Sequence, residues 1–574
     1  MARLQGFIGP SYLSASVNAN CQRSVNLYPE MDLTGTLKEK EIATLVSTPG
    51  LRRLFNTPNN TPVRGLYLSS NNRLFFVSGN TLYEVKQDYS VFTCGTLEPD
   101  TGSDRVNFSD NGIQLTFVDG KHGYIYALAE SGMEMGSFSR IELLHTFMVN
   151  WTTSDLINGY TGTGPSTPAV YNAVRVITSE FYEPSSSVSF LDGYFVHAKT
   201  GSNKFFISGL YDGSVFDGTM FAYVESTPAK VVGSIAMNKK IWFFSEQGTD
   251  IYYDSGNELF PIEPVPGAYM EHGCSQPNSI AKINGIMLWL GQDKRGSAVL
   301  WASSGGEPVR KTTPPIERTI QQLVASGSKA SAYTYSQNGS DFYVLNMTGS
   351  YSTYVYDIKN DLWHERASKA IYRDNNWIAD PDVDGLSRHR VDMLVHYNGL
   401  YIGTDYATSA VYDMTMNFYQ DDGAPIPRIR VSPHFSESLK NLFWRRIQLD
   451  METGIGTPLY DVDAANTLSL LHEFMTNWTT QDLTNGYLGV GVVEHKIFPV
   501  PVQTETATLQ LSDNGGHTFS DGITVEVGKK PNYRTRVMWR RLGKARDRVI
   551  KVKIEGNIPV TLLGIEAFIE GGSK

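Results

Sequence analysis

The sequence predicts an all-β protein: a β-propeller of about seven blades followed by a smaller C-terminal β domain. Three observations point there. A turn–strand–turn–strand unit recurs along most of the chain, the composition is rich in turn formers and aromatics, and the recurrence stops after Asp421.

The composition comes first because it sets the class. Of 574 residues, 41% are hydrophobic and only 19% charged, with 52 Gly and 31 Tyr. Aromatics suit pleated, half-buried surfaces and Gly supplies the positive φ of tight turns, so this balance fits many short strands and lies outside the disordered range. The formal charge of −10 argues against a general nucleic-acid binder, which needs a basic footprint. It does not argue against a surface past which DNA slides.

The unit occurs as NNRLFFVSGNTLYEV from Asn71, NGIQLTFVDGKHGYIYAL from Asn111 and LDGYFVHAKTGSNKFFIS from Leu191. It recurs from Asn238, Asn284, Asn338 and Asn398. Each opening turn carries Asn-Gly, Asp-Gly or a near equivalent, the residues of two-residue hairpin loops. The strands that follow, such as Ile241–Phe244 and Ile286–Leu290, are continuously apolar and so buried on both faces. Sheets of this kind bury both faces only by stacking in a ring. EIATLVSTPGLRRLF, from Glu41, is placed to supply the strand that closes it. The expected boundaries are an N-terminal arm with that strand over 1–60, the propeller over 61–424 and the C-terminal β domain over 425–574. An open sandwich is the plainer rival. SESLKNLFWRR, from Ser436, is the best helical candidate and reads equally as strand.

A second repeat is sharper. LLHTFMVNWTTSDLINGYTGTG, from Leu143, returns as LLHEFMTNWTTQDLTNGYLGVG, from Leu470, within inserts near 142–170 and 463–492. The plainer reading is a loop packing on itself through Phe147, Trp151 and Tyr160, with Phe474, Trp478 and Tyr487 in the other copy. The functional reading makes these aromatics two equivalent docking anchors for partners.

No catalytic constellation stands out: HExxH, P-loop, GxSxG and kinase motifs are all missing from the sequence. His364 and His396 read as strand residues rather than metal ligands. ADPDVDG, from Ala379, reads as a solvated loop that at most holds Ca²⁺ weakly. No catalytic residue, metal site or cofactor is expected, and the chain is read as a non-enzyme. Cys21, Cys94 and Cys274 form no paired framework, which fits folding in a reducing cytoplasm. Neither a signal peptide nor a membrane span is expected. The one basic stretch is YRTRVMWRRLGKARDRVIKVKI, from Tyr533. On a strand, Arg534, Arg536 and Arg540 share one face and Val537 and Trp539 the other, and Arg541 follows. The plain reading is a solvated face; the functional one is contact with an acidic subunit or with DNA phosphates.

Several segments together resemble the tail-hub, or packaged-DNA stabilisation, proteins of short-tailed phages. These are GPSYLSASVNANCQRSVNLYPE from Gly9, the TPGL turn at Thr48–Leu51, the run from Phe206 to Gly256, and the ending from Leu511 with Trp539–Gly543 at its centre. The resemblance runs in order over most of the chain. It implies a structural role in the virion tail as a homohexameric ring below portal and head-to-tail adaptor. Such a ring anchors spikes or fibres and a needle or plug, retains packaged DNA and conducts it at ejection and host entry. Lumen-facing loops are then expected to be acidic or small and polar, not the Arg534–Lys553 stretch. The paired inserts depart from the family's pattern. So does Asn514, which stands in the acidic place of an Asp-box-like hairpin, SDNGGHTF, at Ser512–Phe519. The rival functional reading is a propeller glycan hydrolase or a carbohydrate- or receptor-binding protein, which needs a cleft with opposed carboxylates or a sugar site.

Overall fold

The turn chemistry decides the architecture. In the computed structural model, Asp192-Gly193, Asn238-Lys239, Asn284-Gly285, Asn338-Gly339 and Asn398-Gly399 all hold two successive positive φ values, from 43° to 102°. That is the signature of two-residue hairpin loops whose twist matches the flanking strands. The structure describes residues 2–31, 43–99, 105–128, 174–226, 228–292, 298–370, 372–373, 376–377, 384–437, 440–453, 505–528 and 533–571.

The chain divides into two compact units: Arg53–Thr353 with His389–Met414, and Met1–Arg52 with Tyr354–Arg388 and Thr415–Lys574. The first holds five four-stranded antiparallel sheets that follow one another in sequence, beginning with strands Val63–Leu68, Asn107–Asp110, Ser185–Leu191, Val231–Met237 and Ala281–Ile283. A hairpin of Ala330–Gln337 and Ser340–Met347 comes next. Strands Val391–Tyr397, Leu400–Asp405 and Ala410–Thr415 complete the series.

These seven first strands form a closed circuit. Each touches the next, and Val391–Tyr397 returns to Val63–Leu68. Between the fourth and fifth, Lys282 Nζ donates to Ala236 O at 2.8 Å. The last sheet takes its outer strand from Gly50–Asn56, beside Ala410–Thr415, and Thr57 N extends that join by donating to Ser409 O at 2.8 Å. A ring closed by a distant strand leaves no unsatisfied sheet edge where it meets itself. Its core lies between neighbouring sheets. Phe205 and Phe243 meet at 4.6 Å between ring centroids, and Trp242 and Trp289 meet edge-on at 6.3 Å. This is a β-propeller.

The second unit is a β-sandwich. One sheet runs Leu27–Met31, Ala43–Ser47, Thr561–Gly571, Leu442–Met451, Val537–Arg540. The facing layer holds Cys21–Val25, Arg428–Val431, Asp547–Glu555, Thr506–Ser512 and Ile523–Glu526. Trp444, Ile447 and Leu449 of the first layer pack against Leu509, Val552 and Ile554 of the second in one apolar core. Strands from the N-terminal arm thus belong to both layers. Arg430 fixes that arm: its buried guanidinium donates to Gly6 O, Phe7 O, Pro10 O and Gln22 Oε1.

SESLKNLFWRR, read equally as helix or strand, runs into strand Leu442–Met451. Among the described residues the α-helix lies at Pro314–Ala325, where Pro at the first turn, Glu317 near the positive end and Ile316 and Ile320 on one face favour it.

Candidate interaction surfaces

The outward side of the first sandwich sheet carries Arg445, Arg540 and two exposed aromatics, Phe443 and Phe568. In strand Leu442–Met451 the pairing with Thr561–Gly571 shifts between Trp444 and Arg446, so Arg445 is a bulged extra residue. Trp444 and Ile447 remain buried, Phe443 and Arg445 are exposed, and Arg446 is half-buried. In register across the sheet, Arg446 stands between Phe568 and Arg540. Arg445 is offset by Glu570, Nη2 to Oε2 2.8 Å.

The basic stretch divides by side. Val537 and Trp539 are buried and Trp539 Nε1 donates to Ile523 O at 2.7 Å, joining the two layers. Arg536 and Arg540 are exposed on the opposite side, as alternation requires. Strand pairing covers only Val537–Arg540, so Arg534 sits in the preceding turn and is not part of a strand face. Arg541 is exposed at φ 60°, a left-handed conformation that an L side chain adopts at some cost. Arg548 and Lys551 instead point inward, paired with Asp513 and Asp384. Arg536 and Arg540 are thus exposed on one side, with Arg541 following them. Alternation in the sequence signalled those two, but nothing there announced Arg445, Arg446, Phe443 or Phe568.

A cavity of about 610 Å³ opens among three hairpin turns of the propeller, lined by Leu191, Asp192, Lys239, Lys282 and Asn284 among others. Lys282 is reachable by solvent, yet the enclosing turns strip away enough water to lower its pKa below the ordinary lysine range. Asp192 is the single carboxylate of the lining, and a glycosidase needs two, held opposite one another. Asn284 is committed to Asp341, Nδ2 to Oδ2 2.7 Å. Near the circuit of first strands, Asp392 holds Arg105 and accepts from Ser331 Oγ at 2.6 Å.

The Asp-box-like hairpin satisfies itself. Ser512 Oγ donates to Asn514 Oδ1 at 2.8 Å, Thr518 N donates to that same oxygen, and Gly516 N donates to Ser512 Oγ. It is a structural turn with every member occupied. Phe147, Trp151, Tyr160, Phe474, Trp478 and Tyr487 lie outside the described residues, as does most of ADPDVDG. Among the described residues no group of His, Cys, Asp and Glu is arranged to hold a metal ion, and no helix is long and apolar enough to cross a membrane.

Comparison with known proteins gives two family models in order, the first of which also takes in residues 22–52 and 354–388 of the second unit. Residues 22–415 match the family model described as bacteriophage P22 Gp10, beta-propeller, and residues 472–570 match bacteriophage P22 Gp10, beta-sandwich. No curated protein matches the sequence. Solved structures are similar only in outline. The WD40 propeller domain of Doa1 is 10% identical with a TM-score of 0.33, covering 64% of this chain and 97% of its own. BamB from Moraxella catarrhalis is 8% identical with a TM-score of 0.34, covering 69% and 98%. The BT4673 extracellular domain from B. thetaiotaomicron is 8% identical with a TM-score of 0.36, over 64% of this chain and 40% of that one. The two family models span most of the sequence in order, and the chain belongs to the bacteriophage P22 Gp10 family of tail hub proteins, structural parts of the phage tail and not enzymes.

Proposed function

We propose that copies of this chain form a ring, six-fold by resemblance to the family, that continues the portal–adaptor channel of a short-tailed phage. The ring retains packaged DNA, carries spikes or fibres on its flank and a needle or plug at its tip, and conducts the genome at ejection. The observation that carries this reading is the ordered match of both family models. Charge supports the conduit role. The propeller unit holds 30 Asp and Glu against 21 Lys and Arg, so it does not offer the cationic surface that would pin phosphates. The work is mechanical, and rigidity comes from sheets closed on themselves. The test is a phage lacking this gene product. Heads that fill and then leak DNA, with complementation restoring tails that carry the chain beneath the adaptor, are the expected result. Tails of normal form and DNA content without it would overturn the reading.

A further inference from the structure

The propeller cavity of about 610 Å³ lies among the first hairpin turns of three successive sheets, Asp192-Gly193, Asn238-Lys239 and Asn284-Gly285. Its volume is that of a small-molecule site. The backbone around it is already committed. Leu191 pairs with Tyr194, Met237 with Lys240 and Ile283 with Ile286, so each turn closes a hairpin. A closed hairpin end offers no strand edge to which an extended peptide could add itself. Recognition in this cavity therefore runs through side chains.

Those side chains carry both signs of charge. Lys282 uses one ammonium hydrogen on Ala236 O at 2.8 Å and has two more to give. Among the described residues the Lys239 ammonium, the Asp192 carboxylate and the Asn238 amide have no hydrogen-bond or ion-pair partner. Asp341, beyond Asn284, is already occupied by Asn284 Nδ2 at 2.7 Å and Ser336 Oγ at 2.5 Å. The turns lower the Lys282 pKa by removing water, so an anion beside it restores what burial takes away. Asp192 sets the opposite requirement: it repels a ligand of dense negative charge such as phosphate, and it accepts hydrogen bonds from hydroxyls. Phe190, half-buried and backed by Phe195 at 5.2 Å between ring centroids, adds an apolar wall. A ligand that meets all three conditions has one carboxylate, several hydroxyls and an apolar face.

We propose that this cavity binds an acidic sugar, a ring bearing one carboxylate such as a uronic acid. The carboxylate lies between Lys282 and Lys239, ring hydroxyls donate to Asp192 and accept from Asn238, and the C–H face of the ring lies against Phe190. The site binds without cleaving, because Asp192 is the one carboxylate of the lining and glycoside hydrolysis takes two. This goes beyond the tail role and stands without it, since all three turns belong to one copy of the chain.

The test is calorimetric titration of the full chain with glucuronate and with a galacturonate trimer, with acetate, glucose, glucose 6-phosphate and a glutamate-rich peptide as comparisons. Saturable binding of both uronates is expected, with each comparison ligand weaker by roughly tenfold or more, since a hydrogen bond to a charged group is lost in every case. Lys282→Met is expected to weaken uronate binding to the same extent. Lys239→Met, whose ammonium holds nothing in the fold, is expected to act in the same direction, and melting checks that both variants fold. Asp192→Asn suits the left-handed turn and is expected to cut the preference for glucuronate over acetate severalfold. The charge it removes acts on both ligands alike, whereas the hydroxyl contacts belong to one. Tighter binding of the trimer than of the monomer supports a polysaccharide source, and equal binding a free sugar. Absence of saturable uronate binding, equal affinity for glucuronate and acetate or glucose, or unchanged binding in both lysine variants overturns the proposal. Tighter binding of glucose 6-phosphate or of the peptide overturns it in favour of that ligand.

Discussion

Arg548 and Asp513 close a two-pronged ion pair, Nε to Oδ1 and Nη2 to Oδ2, each at 2.7 Å. The arginine is nearly buried and lies over Trp444, its Cζ 5.3 Å from the ring centroid, while the aspartate is half exposed. The pair is therefore asymmetric. Removing the aspartate leaves a buried cation uncompensated, which costs about 3 kcal/mol, whereas removing the arginine leaves a carboxylate that water can solvate. Asp513→Ala is expected to destabilise the sandwich more than Arg548→Met. Urea unfolding measures both, and the reverse order would contradict the assignment.

His197 gives a pH dependence with a definite sign. Its ring is fully buried, stacked on Phe206 at 5.3 Å, and burial pushes its pKa down to about 3. The unfolded chain titrates near 6.5, so acid protonates the unfolded state first. Stability is complete above about pH 6.5 and declines between about 6.5 and 3, by at most about 1.4 kcal/mol per pH unit from this group. His197→Phe keeps the stack and removes the proton. A shallower loss of stability between pH 6 and 4 is expected in the variant, and parallel curves would count against it.

The hairpin turns allow a clean backbone experiment. Gly399 has φ 78° and open space where a Cβ would go, so Gly399→Ala pays only for the left-handed conformation. About 1 kcal/mol is expected. Gly306 has equally open space without a positive φ, and Gly306→Ala is expected to change nothing. Melting of the two variants side by side decides this.

The three cysteines are buried, and burial raises their pKa values to about 11 for Cys21 and about 12 for Cys94 and Cys274. A thiol that stays protonated and covered is a poor nucleophile. A chromogenic disulfide reagent at pH 8 is expected to titrate none of them in the native chain and all three once it is unfolded. Rapid native labelling would contradict their placement.

How much was legible depends on the neighbours each strand has. The second and third strands of each propeller sheet stood out because they are covered on both faces, as in Phe75–Val77 or Trp242–Phe244, and because Asn-Gly turns precede them. The first strands did not. Ser185–Leu191 reads as a serine run, and only the ring explains it: Ser187 Oγ and Ser234 Oγ lie 2.9 Å apart where adjacent sheets crowd together. Outer strands such as Arg175–Val176 are too short to carry a pattern. In Leu442–Met451 the bulge at Arg445 spaces Leu442, Trp444, Ile447 and Leu449 in a way that imitates a helix. The outward aromatics and arginines were invisible for the same reason, since a bulge reassigns faces without changing composition.

The row formed by Phe568, Arg446 and Arg540 takes one residue from each of three strands, and the latest of these to be synthesised is Thr561–Gly571. A growing chain therefore lacks this surface until that strand has left the ribosome. By then Gly50–Asn56 has its distant partner Ala410–Thr415 to join. Thr561–Gly571 also pairs with Ala43–Ser47, so the sheet is completed only when segments far apart in the sequence have both been made.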